Sequence, residues 1–323
     1  MKRRAGGRVL GEPAPARAGG PGREPRTRRV AWQWGEAQLR ARGIPPEEAR
    51  LEAEVLLRHA AGLSREELLI RPLTALTPHE EAAYAELIAQ RVSGRPTAYL
   101  VGHRDFFGLD LRVDERVLIP RPETERLVEV VRDGLRDHPD PLIVDIGTGS
   151  GAVAIALARA LPRARLLATD TSAGALEVAR VNAGRCGVAE RMTWAEGAGL
   201  TPLAGRGLEE AVDALVSNPP YVPTAEVARL PREVREHEPS GALDGGRDGL
   251  AVHRVLVAGA PRFLRPRGVL AVEVAATGGQ ARAVAALIVA DGAYASPTIV
   301  RDFAGAERVV TAAKKGDDAG HRD

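Results

Sequence analysis

Between residues 32 and 91 apolar positions recur at the three-and-four spacing of an amphipathic helix. The stretch PPEEARLEAEVLLRHAAG opens on Pro45 and Pro46, followed by Glu47 and Glu48, which suit the positive end of a helix dipole, and it stops near Gly62. Its spacing predicts that Leu51, Val55 and Leu56 are buried. A second stretch, TPHEEAAYAELIAQRVSG, repeats the plan: Thr77 as N-cap, Pro78 at the first position, Glu80 and Glu81 next, Gly94 past the end. These patterns define a small helical domain over residues 31–97, to which Trp32 and Trp34 serve as anchors. Residues 98–122 form a linker, and within it DFFGLDLRVDERVLIP alternates apolar and polar positions like a hairpin. From 123 to 313 the period changes. Short strand-forming runs at 142–146, 165–170, 192–195, 212–217, 268–274, 296–301 and 307–312 alternate with helical stretches such as 152–160 and 173–183. That alternation predicts an α/β domain with a parallel sheet covered on both faces.

The ends read differently. Residues 1–30 are rich in Arg, Pro and Gly with almost no apolar periodicity, so they are expected to be a disordered basic extension. Residues 314–323 are expected to be a flexible tail. The composition, 44% hydrophobic and 27% charged over 323 residues, is that of a soluble globular protein. One cysteine, Cys186, excludes an internal disulfide and a cysteine-based zinc site and suits a reducing cytoplasm. The seven histidines show no metal-ligand spacing, and no metal is expected. No apolar run approaches the roughly 20 residues that span a bilayer, and no signal-peptide segment is visible. A cytoplasmic protein, monomeric and without a membrane partner, is the expectation.

Chemistry enters at LIVDIGTGSGAVAIALA, where Asp145, Gly147, Thr148, Gly149, Ser150 and Gly151 lie between a strand and a helix. Glycines there permit a tight turn and close backbone approach to a ligand at a helix N-terminus. The spacing is G-x-G-x-G, not the G-x-G-x-x-G of dinucleotide folds, and the Lys-Ser/Thr ending of a phosphate loop is absent. Asp145 precedes the turn and is placed to face a ligand's ammonium group. A second acid, Asp170, ends the next strand about 20 residues on, where a carboxylate accepts ribose hydroxyls. Together these features resemble the S-adenosylmethionine site of the Rossmann-like methyltransferases.

The fourth strand then stops abruptly at Asn218-Pro219-Pro220-Tyr221. Two prolines cannot extend a sheet ladder, since they lack N–H groups and fix φ. In such a fold this corner faces the reacting methyl. An amide or aromatic amine is a poor nucleophile because its lone pair is delocalised. The Asn218 side-chain oxygen and the Pro219 carbonyl can each accept one N–H bond and aim the nitrogen, with Tyr221 packing over the planar group. Stiffness at the prolines supplies orientation in advance.

Adenine and glutamine methyltransferases share this corner. The segment LIPRPETERLVE, with GIPPEEARLEAEVLLRHAAG, GRPTAYLVGHRDFFGLDLRVD, SNPPYVP, EHEPSGALDGGRDGL and RDFAGAERVV, resembles the HemK/PrmC family of release factor glutamine methyltransferases over nearly all of residues 32–311. The resemblance implies a class I, Rossmann-like fold: a seven-stranded, mostly parallel sheet behind a helical N-terminal domain. It implies S-adenosylmethionine held by the 147–151 turn and Asp170, and a substrate glutamine clamped by Asn218, Pro219, Pro220 and Tyr221. Arg121, Pro122, Glu123 and Phe107 match family positions near the substrate channel. The implied partner is a peptide-chain release factor, methylated at the glutamine of its Gly-Gly-Gln motif, with no direct nucleic-acid contact. One departure is Ala198, where the family carries an acid for the adenine amino group; Glu196 stands two residues away. The chain's own Gly278-Gly279-Gln280 reads as a strand-to-helix loop. The alternative function is N6-adenine methylation of DNA or RNA, which requires a basic face that the ordered part does not show.

Overall fold

The computed structural model describes residues 26–316, which fall into two compact units, one ending at Ser93 and one beginning at Gly94. The first is helical: α1 (Arg28–Ala41), α2 (Pro46–Ala61), α3 (Arg65–Ile70) and α4 (Pro78–Val92). Ser64 with Glu67, and Thr77 with Glu80, close reciprocal capping boxes on α3 and α4. Gly62 ends α2 in the left-handed conformation. Helix α2 buries Ala49, Ala53, Leu56 and Leu57, whereas Leu51 is 56% exposed. The buried stripe follows an i, i+4, i+7, i+8 line on which Leu51 does not lie, and its alanines let α1 pack close. Trp32 Nε1 donates to the Arg50 carbonyl at 2.9 Å, and Trp34 meets Tyr84 edge-on, so both tryptophans serve packing.

The expected disordered extension differs at its inner end. Thr27 caps α1, and Arg26 pairs with Glu81 at 3.4 Å, so residues 26–30 belong to the helical unit. Residues 1–25 of that extension lie outside the described residues.

The second unit starts with α5 (Thr97–Val101) and the antiparallel pair β1 (His103–Phe106) and β2 (Leu109–Arg112), joined by a tight turn at Phe107-Gly108. This hairpin belongs to the sheet unit instead of linking two domains. Asn182, fully buried, bonds the main chain of Arg112 through both its amide atoms. Then follow α6 (Glu125–Leu135), β3 (Leu142–Ile146), α7 (Ala152–Ala160), β4 (Arg165–Asp170), α8 (Ala173–Arg185), β5 (Met192–Glu196), β6 (Val212–Ser217), α9 (Thr224–Val227), α10 (Arg232–His237), α11 (Ala251–Gly259), β7 (Leu264–Glu273), α12 (Gln280–Asp291), β8 (Thr298–Arg301) and β9 (Glu307–Ala313).

The seven-stranded sheet has the order β5-β4-β3-β6-β7-β9-β8. β5, β4, β3, β6 and β7 run parallel, and β9 is antiparallel to both β7 and β8. Successive strand residues feed opposite cores: Ile143, Leu166, Ala214 and Val216 on one face, Val144, Leu167, Leu215 and Leu270 on the other. The chain order reverses between β3 and β6, so their carboxyl ends open a crevice.

β7 begins four residues before the expected 268, because a register shift against β6 accommodates Pro266 and Arg267, whose φ is 67°. β8 begins after Pro297, which cannot donate to a ladder. At the expected loose tail, Lys314 binds Glu210 at 2.6 Å and Lys315 N donates to the Ala293 carbonyl; residues 317–323 lie outside the described residues. No helix among the described residues is long and apolar enough to cross a membrane.

Candidate active site

The first wall of the crevice is the turn between β3 and α7. Gly147, Gly149 and Gly151 have φ of 73°, 56° and 83°, which L side chains rarely adopt. A Cβ on Gly151 would lie 2.8 Å from Ile155 Cδ1, so that glycine serves close packing. A Cβ on Gly147 or Gly149 would meet no atom within 4 Å, so that edge of the turn is bare backbone facing open space. The amides of Gly147 and Thr148 both donate to the Thr169 carbonyl, at 2.9 and 2.8 Å, which pins the turn to β4. Buried Asn182 donates to the Ser150 carbonyl at 2.9 Å.

Asp145 is almost wholly buried and accepts from Thr148 Oγ1 at 2.7 Å. Desolvation pushes its pKa up to about 7. Asp170 ends β4 with Oδ2 accepting from Gly149 N and Oδ1 from Ser172 N, each at 2.9 Å. Each oxygen keeps a second lone-pair direction for a ligand hydroxyl. Glu196 pairs in register with Asp170 at the end of β5 and is exposed; Ala198, two residues on, carries no polar side chain.

The second wall is the proline corner after β6. Ser217 Oγ donates to the Ile146 carbonyl at 2.6 Å, tying the two strand ends together. Asn218 Nδ2 donates to Thr124 Oγ1 at 3.1 Å, which uses the amide nitrogen and leaves Oδ1 for an incoming donor. Tyr221 turns its hydroxyl toward Glu273, with Oη 3.4 Å from Oε1, and burial raises its pKa. Its backbone carbonyl accepts from Gln280 Nε2 at 2.7 Å, and Gln280 Oε1 accepts from Ala275 N at 3.0 Å. Gln280 is therefore a buried strut at the start of α12, with both ends of its amide engaged. Gly249 lets the main chain pass so close that a Cβ there would run into the Tyr221 carbonyl and Gln280 Nε2. A Cβ on Gly245 would lie 2.7 Å from the Pro220 carbonyl.

Leu118, Pro120, Arg121 and Thr124 complete the cleft together with Asp145, residues 147–150 and Asn218. Arg121 donates to Glu238 Oε1 at 2.5 Å. Burial raises the pKa of Glu238, and Arg121 opposes that rise. The structure thus brings Arg121, Asp145, Gly147, Thr148, Gly149, Ser150 and Asn218 around one space. Phe107 is not part of it. Its ring packs at the β1–β2 turn against the core, with the Arg132 guanidinium 5.8 Å from its centre, and its amide donates to Glu125. Phe107, expected on the substrate side, thus lies at the hairpin turn, outside the lining of this cleft.

Sequence reasoning gave no role to Thr124, Gly245, Gly249, Asn182 and Glu273, and read Gln280 only as part of a strand-to-helix loop. The quoted EHEPSGALDGGRDGL and PETE segments contain several of them, but nothing local assigns them to the corner. It also missed a surface group, His103, Asp105 and Asp110, brought together only by the hairpin register.

Residues 31–102 match the PrmC N-terminal domain model, and residues 124–232 match the methyltransferase small domain. The release factor glutamine methyltransferase of Moorella thermoacetica is 47% identical over 87% of this chain and 97% of its own length. That of Geobacter sulfurreducens is 41% identical over 88% and 95%. Among solved structures, the human hMettl16 catalytic domain in complex with the MAT2A 3′UTR hairpin 6 superposes with a TM-score of 0.53 at 18% identity, covering 72% of this chain and 83% of that one. At that identity the likeness concerns the fold alone. With such identity to full-length relatives, both domain models matched and the glycine turn facing the Asn-Pro-Pro-Tyr corner, the chain belongs to the release factor glutamine methyltransferase family.

Proposed function

We propose that this protein methylates the N5 nitrogen of a glutamine side chain in a peptide-chain release factor, the glutamine of its Gly-Gly-Gln motif, using S-adenosylmethionine. The observation that carries the reading is that Asn218 and the bare edge of the 147–149 turn line one cleft, in a chain of this family. The residues fit the cofactor: glycines without neighbours at Gly147 and Gly149 leave room for close approach, and Asp170 retains acceptor capacity for ribose hydroxyls. When bound, the cofactor supplies an electrophilic methyl carbon on a sulfonium.

The chain's own part is positioning. An amide nitrogen attacks poorly while its lone pair is shared with the carbonyl. Asn218 Oδ1 and the Pro219 carbonyl accept the two N–H bonds of the substrate amide and turn its nitrogen toward the methyl. The corner cannot relax, because Ser217, Gln280 and Thr124 hold it at three points. Such fixed orientation is worth several kcal/mol of barrier. Arg121, held by Glu238, lines the approach. A cytoplasmic location accords with this substrate and with one free cysteine.

Transfer of labelled methyl from S-adenosylmethionine tests the reading. Label is expected in a release factor and not in one whose Gly-Gly-Gln glutamine is replaced by asparagine. Label in adenine-containing oligonucleotides instead would contradict it.

A further inference from the structure

The turn between β8 and β9 carries Phe303, the most exposed large apolar side chain among the described residues, at 88%. A lone exposed apolar side chain is ordinary on a protein surface. Two observations set this one apart: the turn that carries it and the edge on which it stands.

Asp302 organises the turn. Its Oδ1 accepts from Ala304 N at 3.0 Å and Ala306 N at 2.9 Å, and its Oδ2 from Arg308 Nε and Nη2, each at 3.2 Å. Its main chain bonds Ala306 and Gly305 at 2.9 Å each, and Gly305 takes a φ of 83°. Arg301 Nη1 ties back to the Gly305 carbonyl at 2.7 Å. These bonds fix the main chain around residue 303 and leave its ring in solvent. The Arg126 guanidinium stands 6.0 Å from the ring centre, at the limit of a cation–π contact.

The edge is that of the candidate active site. Ser217, which precedes Asn218, is level with Val272 of β7, and Glu273 of β7 is level with Val309 of β9. β9 runs antiparallel to β7, so Glu307 and the turn at 302–306 stand past the carboxyl ends of the parallel strands, where the cleft opens. Neighbouring strands lie about 4.8 Å apart, which places the turn roughly 10–15 Å from Asn218 along this rim. The start of α6 joins the two places. Thr124 accepts from Asn218 Nδ2, and Arg126, two residues on, faces Phe303 and donates to the Arg301 carbonyl at 3.1 Å.

We infer that Phe303 is a docking anchor for the protein substrate, its ring packing against an apolar patch of the release factor beside the loop that carries the accepting glutamine. The inference rests on the glutamine reading. A glutamine side chain that reaches Asn218 brings its own main chain to the rim, and about three to five residues of extended chain then cover the distance to Phe303. A folded substrate therefore lies over the ring. An aromatic side chain on a turn that needs no further ordering loses little entropy on docking, and such residues dominate interface energetics. The charges of this rim favour a protein over a nucleic acid. Arg126 pairs with Glu129 at 2.8 Å, Arg301 with Glu307 at 3.1 Å and Arg308 with Asp302 at 3.2 Å. Each guanidinium is thus offset by a carboxylate, whereas a platform for stacked bases needs cations free for phosphate.

The test compares wild type, Phe303→Ala and Phe303→Tyr of the full chain. Calorimetry reads the dissociation constant of an intact release factor for protein loaded with S-adenosylhomocysteine, and steady-state methyl transfer reads KM and kcat. Phe303→Ala is expected to raise the dissociation constant and KM about tenfold. Its kcat at saturating release factor, its affinity for S-adenosylhomocysteine and its thermal midpoint stay near wild type, and Phe303→Tyr, which keeps the ring, recovers most of the loss. Unchanged binding and KM in Phe303→Ala would overturn the inference. A matched loss of kcat or of cofactor affinity would also overturn it, by making the residue part of the cleft. Wild-type binding of a single-stranded oligonucleotide that Phe303→Ala abolishes would overturn it in favour of base stacking. If the release factor binds without being methylated, the glutamine reading fails and the binding comparison still decides on Phe303; if it does not bind wild type, both fail.

Discussion

The glycine turn at 147–151 and the proline corner at 218–221 face each other across one cleft, yet they are held in different ways. The turn is local: Asp145 bonds Thr148 three residues on, and Gly147, Thr148 and Gly149 bond the end of the adjacent strand at Thr169 and Asp170. The corner is held from afar, by Thr124 before the sheet begins, Gln280 after β7, and a loop whose Gly245 and Gly249 pass under its carbonyls. A local device presents backbone to a ligand wherever a strand meets a helix. A corner clamped from three distant segments keeps one geometry only when the whole domain is folded, which suits the proposed aiming of a weak nucleophile.

The comparison makes the two walls separable. Asn218→Ala has the largest expected effect: turnover on a release factor falls about 10²–10³-fold, by analogy with loss of one preorganised polar group. Cofactor affinity stays within a few-fold, since the turn is untouched. A matched loss of cofactor affinity would merge the two walls into one unit. Asp170→Ala is the mirror experiment. It removes charge-assisted acceptors worth ~1.5–3 kcal/mol each, and calorimetry should show the cofactor dissociation constant rising at least tenfold. The amides of Gly149 and Ser172 lose their partner in the same variant, so part of the loss is a looser turn.

Gly249→Ala strikes the corner from its far support. The new methyl meets the Tyr221 carbonyl and Gln280 Nε2 at a backbone φ of 75°. Turnover is expected to fall about tenfold, by displacement of the aligned corner, with cofactor affinity preserved. Ala198→Asp carries the smallest effect. A carboxylate gained at that loop should tighten cofactor binding by a single hydrogen bond, ~0.5–1.5 kcal/mol in calorimetry. No gain would mean that the adenine edge is served by another group, and Glu196 is the nearest acid along the chain.

The same contrast explains what the sequence disclosed. Strand boundaries at β3, β4 and β6 were legible because short apolar runs end sharply in Gly147, Asp170 and Asn218. The turn was legible because its glycines, its preceding acid and the next strand's acid lie within 26 residues of one another. Asn218 to Tyr221 was legible as a rigid corner, and its family resemblance pointed to its chemistry. Its supports were not, because a threonine at 124 and a glutamine at 280 carry no local signal of what they will bond. Glu273 sits in a run that reads as ordinary strand, and only its burial beside Tyr221 marks it. At Phe107 a motif position was legible, but only the hairpin register shows where its ring packs. Leu51 shows the same limit at smaller scale, since the packed face of α2 runs through Ala49, Ala53, Leu56 and Leu57 and leaves Leu51 outside it.

Tandem mass spectrometry of a release factor after incubation with this protein and S-adenosylmethionine addresses the central claim most directly. One methyl group on the side-chain nitrogen of the Gly-Gly-Gln glutamine, present with wild type and lost with Asn218→Ala, is the expected result. An unmodified glutamine in the presence of active, cofactor-bound protein, or a methyl group carried instead by adenine in an oligonucleotide, would contradict it.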